Sequence, residues 1–449
     1  DKMENRNAEL YELIEKKKFI ELREILIEMN EVDISEFLET LEIEKMTVVF
    51  RMLPKEISSE VFAFLESDTQ EHIINSVTDS ELSEIIEDLF VDDAVDLLEE
   101  LPAYVVKRVL KNAKSETRNL INQFLRYEEN SAGSIMTAEF IHLRKNMTVD
   151  GAFEKVRKIA RDMETIYTCY VTDEGRRLEG VVSIKSMILS DPNVLLGEIM
   201  EDDVIYVSTD DDREEVAALF SKYGLLSLPV VDHERRIVGI VTVDDAVDVI
   251  NEEATEDFEI MAAMRPSEKP YLRTGVFSLA KNRIMWLLVL MISAMLTGKV
   301  LEKFESAFAA FPLLVTFIPM LTGTGGNAGS QSSTLVIRGM ALSEISMNDL
   351  GRVVWKEIRV SVLVGFVLSA VNYARLLMMY PDNALLAFVV ALSLFATVII
   401  AKVTGCILPM LARLVNADPA IMAAPIITTL VDVFALVFYF TMAQKILNI

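Results

Sequence analysis

Five apolar stretches follow one another near the end of this chain, at residues 284–300, 311–335, 360–380, 385–408 and 420–443. A helix needs roughly 20 apolar residues to cross the hydrocarbon core of a bilayer, so each is a candidate membrane span. No water is present there to satisfy the backbone, which makes helices the expected form. Lys281 and Arg283 precede the first stretch, Arg338, Arg352, Lys356 and Arg359 lie between the second and third, and Arg413 lies between the fourth and fifth. Basic residues favour the cytoplasmic side, which places the N-terminal part inside. Lys299 and Lys303 fall on the opposite side. The amphipathic segment 339–357 is expected to lie along the inner surface.

The fifth stretch contains DPAIMAAPIITTLVD, residues 418–432. Asp432 stands there among Ile427, Leu430, Val431, Val433, Phe434 and Leu436. A charged side chain at the centre of a membrane helix costs about 2.5–3.5 kcal/mol on insertion scales, so it needs a partner. A passing cation and a neighbouring helix are both candidates. The second stretch carries IPMLTGTGGNAGSQSST, where Gly323, Gly325, Gly326 and Gly329 stand with Asn327, Ser330, Gln331 and Ser332. Two readings are open: close helix packing through small residues, or a broken or tightly approached helix lining a wet path. Pro319, Pro425, Thr428 and Thr429 favour the wet path.

Charge is divided along the chain. Residues 1–130 carry −17 and 191–260 carry −16, against +1 for 131–190 and +6 for 261–449, summing to −26. So acidic a surface repels nucleic acid and suits metal cations or a basic partner. Cys169 and Cys406 are the two cysteines, one in the soluble part and one in a span, which gives no disulfide or thiolate site. No charged-then-apolar leader opens the chain, and the front is expected to stay in the cytoplasm. His72, His142 and His233 are scattered, and neither a Cys/His cluster nor a Gly-Lys-Ser/Thr loop occurs, so enzymatic activity is not expected.

Residues 1–130 show apolar positions at spacings of three to four, predicting short helices. Asp68 with Thr69, and Thr78 to Ser80, read as helix starts. Leu53-Pro54 and Leu101-Pro102 open similar helices, which suggests stacked hairpins in a solenoid. Asp92 and Asp96 share one helix face, with Asp93 and Glu99 beside them.

Residues 131–250 contain a tandem repeat. Ile135-Met136-Thr137 is echoed by Ile199-Met200-Glu201, and TDEGRRLEGVVSIKSMI by VDHERRIVGIVTVDDAV. Gly180 and Gly239 precede strand-like runs that lead into helices. The repeats resemble a pair of CBS modules. In that family a Thr-x-x-Asp holds an adenosine ribose. Thr242 and Asp245 match it, while the first repeat has Ser183 and Ser186. Residues 244–264 then read as one helix with Asp245, Asp248, Glu252, Glu256 and Glu259 at helical spacing, beside Asp244, Glu253 and Asp257. Like charges so placed repel one another unless cations sit on them. Pro266 and Pro270 are expected to break it before the first span.

Taken together, the chain resembles the MgtE magnesium channel family. The resemblance rests on the helical acidic domain, the CBS pair, the acidic connecting helix, five spans, P-x-L-x-G-x-G-G-N-x-G-x-Q in the second and D-P-A…P-x-x-T-T-x-x-D in the fifth. It implies a multidomain membrane protein. An α-helical superhelical N domain spans 1–130, an α/β CBS pair 131–250, a connecting helix 244–270 and a five-helix transmembrane domain 271–449. It also implies a homodimer in a bacterial inner membrane with cytoplasmic N-terminal domains, moving Mg²⁺ inward. Asp432, with Asn327, Ala424, Pro425, Thr428, Thr429, Gly325 and Gly326, would line the pore; Ala423 and Ala424 stand where small residues are expected. Regulatory Mg²⁺ would bridge Asp92, Asp96 and Glu60 to Asp212, Glu214, Asp245 and Asp248. A second set, Glu253, Glu256 and Asp257, would approach Asp418 and close the pore. ATP or another adenine nucleotide would sit at Thr242 and Asp245. Two alternatives remain at this point: a secondary transporter of a cationic or polar organic solute, and a silent membrane sensor.

Overall fold

The computed structural model describes residues 2–448 other than 268–270, 273, 343, 416 and 423, with the side chains of 2–5, 56, 308 and 424 also set aside. Pro270 and Ala423, and the side chain of Ala424, therefore lie outside the described residues. The chain separates into two compact units, Asp1–Ile250 and Asn251–Ile449.

The first unit begins with ten short helices, from Lys2–Glu15 to Ser115–Phe124. Their apolar faces form one core; Val91–Glu100, for example, buries Val91, Ala94, Val95, Leu97 and Leu98. From Glu31–Glu39 onward each helix packs on the next but one, the arrangement of stacked hairpins. Pro54 and Pro102 occupy the N-cap positions of Lys55–Ala63 and Ala103–Asn112. Thr78 forms a capping box with Glu81. Asp68 and Thr69 are not the cap expected of them. They lie inside Ser67–Ser76, whose first turn is capped instead by a distant carboxylate: Glu39 accepts from Glu66 N at 3.0 Å and from Thr69 Oγ1 at 3.0 Å. Glu87 does the same for Lys114 N at 2.6 Å and Thr117 Oγ1 at 2.8 Å. Glu39 and Glu87, Thr69 and Thr117, and Pro54 and Pro102 are each 48 residues apart, which identifies an internal repeat.

Two matching three-stranded sheets follow. Strand β1 (His142–Arg144) runs parallel to β2 (Thr168–Thr172), which pairs antiparallel with β3 (Leu178–Ser183). In the second, β4 (Val207–Ser208), β5 (Ser227–Val231) and β6 (Ile237–Thr242) repeat the pattern. The repeats exchange their leading segments, since Thr137 bridges to Ile240 and Glu201 to Val181. A Cβ on Gly239 would meet Thr137 O at 2.7 Å, and one on Gly180 would meet Glu201 O at 2.9 Å. Both glycines are thus demanded by close backbone approach. A helix, Val243–Met261, leaves β6 and runs on across the boundary between the units.

Four helices in the second unit are long and apolar enough to cross a membrane, among the described residues. They belong to the first span (Val276–Lys303), the third (Leu350–Met379), the fourth (Ala384–Leu414) and the fifth (Ala424–Leu447). The second expected span is also a helix, Ile318–Ala341, packed on the fourth and fifth. Its glycines and amides lower its hydropathy. The helix is continuous, so the break is not realised, and the helix is tightly approached: Cβ atoms on Gly325, Gly326 and Gly329 would lie 2.8 Å from Thr397 and Val431, 2.8 Å from Thr428 and 2.6 Å from Ile427. The segment 339–357 divides between two helices. Residues up to Ala341 complete the second span, and from Leu350 the backbone already forms the third, with neither proline nor cap to interrupt it before Met379.

Candidate functional site

Two groups of residues are candidates for cation contacts. The first lies on the fifth span. Pro425 cannot donate to the helix ladder, and its own carbonyl accepts both Thr428 Oγ1 at 2.9 Å and Thr429 Oγ1 at 3.1 Å. Their hydroxyl protons are engaged, which leaves oxygen lone pairs available. Asp432, two turns from the start of this helix, is half-buried and has no hydrogen-bond or ion-pair partner among the described residues. Gly325 and Gly326 hold the second span against the fifth through Val431 and Thr428, while Asn327 points to the exposed face. Asp418 stands before the 3-10 turn Pro419–Met422 and accepts from Ala420 N at 2.7 Å. The connecting helix reaches this region: Asp257 is raised to about 6 by burial and by the nearby carboxylates of Asp418, Glu253 and Glu256.

The second group is in the first unit. Asp92 and Asp93, in the first turn of Val91–Glu100, lie close to Asp245, with Asp244, Glu139 and Glu164 around them. Burial and these neighbours raise three of these groups: Asp92 stands well above the ordinary carboxylate range, Asp93 rises to about 6 and Glu164 to about 8. Asp245 is lifted to about 6 by burial, against the opposing bond from Thr242 Oγ1 at 2.5 Å. One oxygen of Asp92 and one of Glu164 are buried without a hydrogen-bond partner. Such a set of hard, under-satisfied oxygen donors suits Mg²⁺. Among the described residues, however, no three His, Cys, Asp or Glu side chains stand close enough to hold a metal as placed.

Other expected ligands are spread more widely. Glu60 is exposed and its charged neighbour is Glu31. Asp212 caps Arg213–Tyr223 by accepting from Glu214 N at 2.8 Å, and both side chains are exposed. Asp248 is exposed beside Asp244, and Asp96 faces solvent. Glu139 and Glu164 were not singled out by sequence. Glu164 lies in an irregular segment before β2, far along the chain from Asp92, and only the fold brings it near.

A helical N-terminal domain, a CBS pair and a bundle of apolar helices with an intramembrane carboxylate define a multi-pass membrane protein with a cytoplasmic N-terminus. Three family profiles match in the same order: the MgtE intracellular N domain over residues 29–130, CBS domains over 132–191 and 196–252, and MgtE, described as a divalent cation transporter, over 318–442. The magnesium transporter MgtE of Thermus thermophilus is 38% identical over 431 residues, 95% of each chain. The chain belongs to the MgtE family. The magnesium transporter MgtE of Bacillus subtilis is 33% identical over 87% of this chain and 86% of its own. The crystal structure of the cytosolic domain of the Mg²⁺ channel MgtE in complex with ATP is matched at 40% identity and TM-score 0.52, covering 54% of this chain and 99% of that one.

Proposed function

We propose that the chain is a Mg²⁺ channel that admits Mg²⁺ to the cytoplasm as a homodimer and is closed by cytosolic Mg²⁺. Family membership supports Mg²⁺ as cargo, and Asp432 supports the pore position. In a dimer the carboxylate would meet its symmetry mate, with Asn327, Gly325, Gly326, Ala424, Pro425, Thr428 and Thr429 around it. Mg²⁺ keeps several waters and takes one or two carboxylates, which such a ring offers.

The observation that carries the gating reading is the crowding of Asp92, Asp93, Glu139, Glu164, Asp244 and Asp245 into one partly buried cluster. Without cation the cluster repels itself. Mg²⁺ bridging it, together with Asp96, Glu60, Asp212, Glu214 and Asp248, would favour a compact state. A second set, Glu253, Glu256, Asp257 and Asp418, would draw the connecting helix to the inner mouth. Closure is then a population shift set by differential Mg²⁺ affinity. The division into N domain 1–130, CBS pair 131–250, connecting helix 244–270 and transmembrane domain 271–449 follows from that scheme. Thr242 and Asp245 are the candidate adenine-nucleotide residues, consistent with ATP in the related cytosolic domain.

Proteoliposomes loaded with a Mg²⁺-sensitive dye test the cargo and the pore. Influx from wild type and none from folded Asp432→Ala is expected; equal influx from both removes Asp432 from the path.

A further inference from the structure

Apart from Arg413 in the last turn, Lys402 is the only charged residue of the fourth span, and it is 5% exposed. A buried ammonium in a membrane helix is retained where it has partners. Its Nζ donates to Ser332 Oγ at 3.3 Å, and Ser332, 1% exposed on the second span, donates to Glu357 Oε2 at 2.6 Å on the third. A hydroxyl that accepts from a cation and donates to an anion is polarised from both sides, which strengthens each bond. The chain Lys402–Ser332–Glu357 thus fastens three spans together inside the bundle.

Its location gives it a consequence for the ion path. One turn from Ser332 is Gly329, whose carbonyl abuts Gly405 and whose Cα faces Ile427. A further turn along, Gly326 and Gly325 meet Thr428 and Val431, the residues leading to Asp432. We propose that Lys402 and Glu357, acting through Ser332, are positioning residues for conduction: their opposite charges hold the second span at the depth that sets its spacing from the fifth beside Asp432. The proposal rests on the reading of this chain as a Mg²⁺ channel.

The test uses full-length protein in proteoliposomes, with Mg²⁺ influx normalised to folded protein and thermal unfolding followed in detergent. No influx from wild type defeats the channel reading and leaves the network to be judged on unfolding alone, where the same pattern is expected. With wild-type influx present, Lys402→Met and Glu357→Gln should each lower it by about tenfold or more, because the first strands the half-buried Glu357 carboxylate and the second the buried Lys402 ammonium. The double variant strands none and should return to within about threefold of wild type, a coupling that independent sites do not show. Ser332→Ala should lose influx and Ser332→Thr, which keeps the hydroxyl, should regain it. Should either single charge variant fail to fold, the Ser332 pair decides alone. Wild-type influx in Ser332→Ala, or a double variant whose loss is the product of the two single losses, overturns the proposal.

Discussion

Gly405 on the fourth span abuts Gly329 on the second so closely that a Cβ on Gly405 would fall 2.3 Å from the Gly329 carbonyl oxygen. Backbone cannot swing aside as a flexible side chain can. Gly405→Ala should therefore destabilise the bundle by about 1–3 kcal/mol or more through overpacking. Gly323 has nothing within 4 Å of the same position, and Gly323→Ala should be neutral or mildly stabilising. Thermal unfolding in detergent compares the two; equal effects would show that the spans are not packed through Gly405.

The carboxylate caps of the N-terminal repeat make a second prediction. Glu87→Ala removes the acceptor for both Lys114 N and Thr117 Oγ1 at the start of Ser115–Phe124. Loss of a cap costs about 1 kcal/mol, and hydrogen exchange in that first turn should accelerate. Unchanged exchange at Lys114 to Thr117 would deny the cap its role.

His142 gives the pH dependence. Burial, then Lys155, Arg176 and Arg144, lower it to about 4 from the usual 6.5. The folded module holds it neutral, so its contribution to stability is present above about 6.5 and is lost as pH falls toward 4. His142→Gln should flatten the fall in unfolding temperature across that window. An unaltered pH profile would mean that other groups govern acid unfolding.

The cytosolic cluster is tested through Glu164. Glu164→Gln removes one of the carboxylates that crowd Asp93, Asp244 and Asp245. In chelator at a pH above about 8, where Glu164 is ionised, the variant should unfold at a higher temperature than wild type, because repulsion is relieved. In Mg²⁺ it should gain less, because a ligand is missing. Equal Mg²⁺ responses in variant and wild type would take Glu164 out of the metal-binding cluster.

The amphipathic spacing of residues 1–130, the doubled CBS pattern and the apolar spans were readable because each rests on local periodicity. The interval linking Pro54 to Pro102 was visible too, although the caps from Glu39 and Glu87 that share it join residues some thirty apart and needed the fold. Glycines of the second span marked a special helix without saying which kind; the neighbours Thr397, Ile427, Thr428 and Val431 show it to be unbroken and closely approached. The amphipathic pattern of 339–357 did not show that from Leu350 onward it is already the start of the helix that forms the third span. Asp92 and Asp245 could be suspected from charge density. Glu164 could not, since nothing around it in sequence distinguishes it. Lys402 was a signal passed over: one lysine deep in a long apolar run asks for a partner.

Mg²⁺ is proposed to pass along the path of Asp432 and to shut that path from the cytoplasmic side. Single-channel recording of the purified protein in a planar bilayer, with cytoplasmic Mg²⁺ stepped through the millimolar range, tests it most directly. A current carried by Mg²⁺ that closes as cytoplasmic Mg²⁺ rises, and that Asp432→Ala abolishes, is expected. A Mg²⁺ current indifferent to cytoplasmic Mg²⁺ would contradict the gating, and no divalent current from folded protein would contradict the channel itself.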